Sequence, residues 1–213
     1  MGKPRLVFYG SSHAKRLFKA SLSVQKIVRK YQLIDQSKSG SSPSNHYLPN
    51  LNLTEQDILI VATSGNSLFH KFTKMQIELN ERKYYLTHFC PQDQSFIINE
   101  WTILKANLQE NANCKIYLLS NILRHLKTSN TNFTFDKRIL SFQIDQNIRY
   151  QRFFSNIENL TFIRHNRLLP YKTKKLKNQI FYSSLLVDNV HLRRVLYRSM
   201  INNLLSLQAK ADC

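Results

Sequence analysis

The chain is poor in cysteine, glycine and acid, and each shortage narrows what it can be. Its three cysteines, Cys90, Cys114 and Cys213, are widely spaced and odd in number. They form no Cys-x-x-Cys pair and no cluster with histidine, so the ligand spacing of a zinc site is missing. Buried or incidental thiols in a reducing compartment are the reading. His46, His70, His88, His125 and His165 have no evident partner, and neither a metal nor a cofactor is expected. Long apolar runs are missing too. None approaches the length of a membrane span, and the opening MGKPRLVFYGSS lacks the apolar core of a signal peptide. Lys3, Pro4 and Arg5 after Met-Gly also fit a myristoylation signal poorly. An intracellular protein, in cytoplasm or nucleus, is expected. With 213 residues, no repeat and no interdomain linker, so is a single domain over 1–213.

The shortage of acid is the largest departure from an ordinary composition. Lys and Arg number 31 against 13 Asp and Glu, a net charge of +18. A field of that sign draws phosphate-rich partners, either nucleic acid or an anionic membrane surface. The candidate contacts fall in three groups. Lys15, Arg16 and Lys19 lie on a first helix; Lys172, Lys174, Lys175 and Lys177 occupy a basic connection over 166–180; Arg193, Arg194 and Arg198 open the last helix. RNA-recognition, zinc-knuckle and helix-turn-helix signatures are all missing. Binding of nucleic acid would therefore be backbone-directed and salt-sensitive. The plainer reading of each group is a solvated face.

Alternation of apolar runs with amphipathic stretches sets the fold class. RLVFY (5–9), YQLID (31–35), DILIVAT (57–63), CKIYLLS (114–120) and LTFIRH (160–165) read as five strands. Helices are expected over 13–31, 94–111, 135–157 and from about 194 to Leu207, with a β-hairpin insertion over 70–92. Strands alternating with helices argue for an α/β domain with a parallel sheet, whose ligands sit beyond the carboxyl ends of the strands.

Of only four glycines, Gly10, Gly40 and Gly65 fall at those ends. Gly10 is explained if a serine must be held on a sharp strand-to-helix turn. Such a serine needs a base within hydrogen-bond reach and a carboxylate to orient it. Asp188 and His191 in DNVHL form the one such pair late in the chain. Gly40 can offer an N–H and Asn66 a side-chain amide to an oxyanion. The plainer readings are Ser12 as a helix cap and His191 as a loop histidine, with His13 facing solvent or capping the turn.

Glycine-serine after the first strand, a glycine after the second, glycine-asparagine after the third and Asp-x-x-His before the last helix together resemble the SGNH (GDSL-type) hydrolases. The likeness spans residues 5 to about 205. It implies a three-layer αβα sandwich of flavodoxin-like type with about five parallel strands. It also implies an acyl-ester substrate, with Ser12 as nucleophile, His191 as base and Asp188 as orienter. Ser12 N–H, Gly40 N–H and Asn66 would form the oxyanion hole, and no cofactor is implied. Gly-Ser-Ser-His followed by a basic helix is similar more specifically to the esterase-like domains of non-LTR retrotransposon first-open-reading-frame proteins, whose partner would be RNA. Ser11, Ser64 and Ser67 depart from the family's acid, glycine and aspartate at those positions. The alternative is a chain that keeps this fold without its chemistry and acts as a nucleic-acid-binding or assembly protein.

Overall fold

The computed structural model describes residues 2–63, 65–69, 73–79, 82–88, 91–123, 137–168 and 191–211. Five strands form its main sheet: β1 (Arg5–Gly10), β2 (Gln32–Ser37), β3 (Ile58–Ala62), β4 (Lys115–Leu119) and β5 (Leu160–Ile163). All pair in parallel, in the order β2-β1-β3-β4-β5. The continuous apolar runs of β1, β3 and β4 occupy the three central places, where both faces are covered by helices.

The period of two sorts each strand's side chains between two cores. Leu6, Phe8, Ile58, Ile60 and Ala62 pack with α1 (Ser12–Leu22), α2 (Gln25–Lys30), α5 (His165–Leu168) and α6 (Arg194–Ala211). Val7, Tyr9, Leu59 and Val61 pack with α3 (Gln94–Gln109) and α4 (Lys137–Phe153) on the opposite face. The architecture is thus a three-layer αβα sandwich. Between β3 and α3 the chain leaves the sheet as an antiparallel ribbon, Thr73–Leu79 against Arg82–His88. An isolated bridge of Phe69 with Pro91, and the Gln92 N–H donating to Leu68 O, join the two ends of that excursion.

The sequence predicts one helix over 13–31, but the chain divides it at Ser23 and Val24. Ser21 and Ser23 turn their hydroxyls back onto the carbonyls of Leu17 (2.9 Å) and Ala20 (2.7 Å). Such bonds compete with helix continuation. After the break α2 leads directly into β2, which runs 32–37 rather than 31–35.

At the amino ends of the strands, Arg5 and Asp57 lock β1 to β3. Asp57 accepts from the Arg5 backbone N–H (2.6 Å) and from its guanidinium (2.6 and 3.1 Å). Burial raises the Asp57 carboxyl, but the bonds from Arg5 and Thr54 outweigh it and hold it at about 2.

Candidate active site

The site is built where β1 turns into α1. Gly10 has φ +127°, and a Cβ there would stand 2.5 Å from the Ala62 carbonyl oxygen. Backbone angle and space both demand glycine. The close approach lets the Ser11 N–H donate to Ala62 O at 3.2 Å, tying the turn to the end of β3. Ser11 itself is buried and its hydroxyl bonds no helix N–H, so the turn is held by β3 rather than by a cap.

Ser12 follows as the first residue of α1, not as its cap. Its Oγ lies 2.8 Å from His191 Nε2, in the loop just before α6. Both side chains are half-buried, within reach of solvent. A serine hydroxyl at this distance can donate its proton to the imidazole, and the helix N-terminus adds orphan N–H groups and a favourable dipole for developing negative charge. Gly40 stands in the loop after β2, and Gly65, at φ +65°, precedes the short turn Asn66–Leu68 after β3. Three strand ends therefore bring Ser12, Gly40 and Asn66 to one edge. Asp188, Lys172, Lys174, Lys175 and Lys177 lie outside the described residues. Lys15, Arg16 and Lys19 stand on α1, Arg194 and Arg198 on α6, and Arg193 just before it.

His13 overturns its sequence reading. It is buried, not solvent-facing, because the second position of α1 points into the seam with α6. Its Nδ1 lies 2.6 Å from the Tyr197 hydroxyl. The same phenol oxygen accepts the Leu192 N–H at 3.3 Å. Tyr197 therefore ties α1 to the residue beside His191, and the two imidazole rings sit 5.3 Å apart. Two other histidines also have partners the sequence did not reveal. His46 bonds Gln36 O through Nε2 (2.9 Å) and stacks on Tyr9. His165 is fully enclosed with Nδ1 2.8 Å from Ser120 Oγ, and burial pushes it down to about 4, so it is neutral. Beside it Thr63 donates to Asn121 Oδ1 (2.8 Å), fastening the β3 end to the β4 end. Among the described residues no His, Cys, Asp or Glu group is arranged to hold a metal, and no helix is long and apolar enough to cross a membrane.

Neither a family model nor a curated protein matches the chain. Solved structures do. An acetyl xylan esterase, AlAXEase, superposes with a TM-score of 0.57 at 15% identity, over 95% of this chain and 98% of its own. A member of the lipolytic G-D-S-L family from Veillonella parvula gives 0.54 at 10% identity, over 95% and 97%. The C-terminal catalytic domain of peptidoglycan O-acetyltransferase A from Streptococcus pneumoniae, solved with a methylsulfonyl adduct, gives 0.52 at 13%, over 99% and 96%. The chain has the three-layer α/β fold of the SGNH and GDSL hydrolases.

Proposed function

We propose that the protein is a serine ester hydrolase of the SGNH type. The observation that carries this reading is the 2.8 Å approach of His191 Nε2 to Ser12 Oγ, on a turn that only glycine at position 10 permits. Ser12 Oγ attacks the acyl carbon while His191 accepts its proton. The ester's carbon–oxygen bond breaks, and His191 returns the proton to the departing alcohol. Water then repeats the sequence on the acyl-enzyme and releases the acid. Asp188, three residues before His191, orients the imidazole. Ser12 N–H, Gly40 N–H and the Asn66 amide receive the oxyanion.

The test is covalent labelling with methanesulfonyl fluoride and with a fluorophosphonate, followed by peptide mapping. The expected result is modification at Ser12 that vanishes in Ser12→Ala and in His191→Ala. A folded wild-type protein that stays unmodified, and that turns over no short-chain acyl ester, would leave the fold without the chemistry.

A further inference from the structure

A cationic groove lies beside the active site rather than in it. A groove of about 500 Å³ runs along the seam of α1 and α6, lined by Arg16, Lys19, Leu22, Ser23, Arg194 and Tyr197. Arg198 crosses to Ser23, donating from Nε to Oγ at 3.1 Å. The elements that carry these cations hold no acid of their own: residues 1–34 contain no Asp or Glu, and neither does α6. Among the described residues no carboxylate pairs with Arg16, Lys19 or Arg194. Arg16 stands one helical turn beyond Ser12, so the groove begins where the site ends.

Two further observations decide what the groove suits. Leu22 is 55% exposed and Val195 66%, so aliphatic side chains stand among the arginines. Aromatic faces, by contrast, are turned inward: the Tyr197 ring is buried, and Phe18 packs edge-on against Phe8. A single nucleic-acid strand takes much of its affinity from bases stacked on open aromatic rings. A bilayer takes its from aliphatic side chains at the headgroup boundary and from cations on lipid phosphates. Arginine forks suit a phosphate bidentately.

We propose that the α1–α6 groove seats the phosphate of an anionic phospholipid headgroup, with Leu22 and Val195 entering the bilayer surface. The proposal does not depend on Ser12 chemistry. It is tested with the full chain by co-sedimentation with phosphatidylcholine vesicles, with and without phosphatidylglycerol, at physiological salt. Binding is expected only to the vesicles that contain phosphatidylglycerol. Arg16→Gln with Arg194→Gln should weaken it by about tenfold or more. Arg149→Gln with Arg152→Gln, which removes the same charge from α4, should change it by less than about twofold, since these arginines stand on the opposite layer. Leu22→Ser with Val195→Ser should weaken it severalfold with every charge in place. Equal losses from the α1–α6 and α4 arginine pairs would reduce the effect to the overall +18 and overturn the proposal, as would an unchanged Leu22/Val195 variant. Binding of oligothymidylate that the groove arginines control, without vesicle binding, would assign the groove to nucleic-acid phosphate instead.

Discussion

The helices on the two faces of the sheet differ in whether they carry acid. α1, α2 and α6 carry three Lys or Arg each and no acid, and the site sits at the N-terminal ends of α1 and α6. α3 and α4 set Glu100 and Asp145 among five Lys or Arg and enclose an aromatic cluster of Trp101, Tyr150, Phe153 and Phe154. Glu100 is fully buried, and its Oε2 accepts the Ser44 N–H at 3.2 Å, so this side chain is used within the fold. The Ser12–His191 pair lies on the first layer and the aromatic cluster in the second. Chemistry and stability should therefore respond to different substitutions.

The sharpest break of that division is Ser12→Ala. It should lower ester turnover by roughly a thousandfold or more, with a thermal midpoint within a degree or two of wild type. A variant that kept its turnover would take the chemistry out of the α1 layer. Trp101→Ala should do the reverse, costing about 3–5 kcal/mol in denaturant unfolding while the fraction still folded labels as wild type. Loss of labelling without loss of stability would mean that the aromatic cluster reaches the site.

The two sides should also part under acid. His165 ionises at its ordinary 6.5 in the unfolded chain but near 4 when folded. Its contribution is complete above pH 6.5 and falls as pH drops toward 4, by about 3 kcal/mol in all. Asp57 titrates the other way in cause and much lower in pH. Its contribution holds above its ordinary 3.8 and is lost only as pH falls through about 2. Unfolding free energies measured from pH 7 to 4 should thus decline in wild type and flatten in His165→Gln. A decline that persists in the variant would assign it to another group.

Smallest is Tyr197→Phe, which keeps the buried ring and removes the hydroxyl shared by His13 and Leu192. About a tenfold drop in kcat is expected with KM nearly unchanged, together with a shifted pH–rate profile because the His191 loop is less well held. Labelling at the wild-type rate would make Tyr197 a core residue only.

Backbone necessity was what the sequence could express. Gly10 before two serines announced a turn that tolerates no side chain, and the structure supplies the reason in the Ala62 carbonyl. The meeting of Ser12 and His191 was legible for a similar reason, because strand and helix ends of a parallel sheet converge on one edge. Burial was much less legible. His13 follows Ser12 directly, and only the docking of α6 decides that it faces inward. Tyr197 is one of ten tyrosines, and nothing local sets it apart. The break at Ser23 was hidden because apolar spacing continues through it, while the hydroxyl bonds that stop the helix have no periodicity. The α1–α6 groove belongs to two segments more than 170 residues apart, so each contributed only a charge run to the sequence.

The bridge of Phe69 with Pro91 has a consequence for how this scaffold can change. It brings together the two ends of the segment that holds the ribbon, and among the described residues the ribbon's strands pair only with each other. The main sheet's register is complete without it. Since loop-closure entropy grows only slowly with length, the segment can be shortened, extended or exchanged as a cassette at little thermodynamic cost. The protein thus carries a replaceable part between β3 and α3, opening just after the short turn Asn66–Leu68. Variation can accumulate there while the sheet and its Gly10 turn stay unaltered.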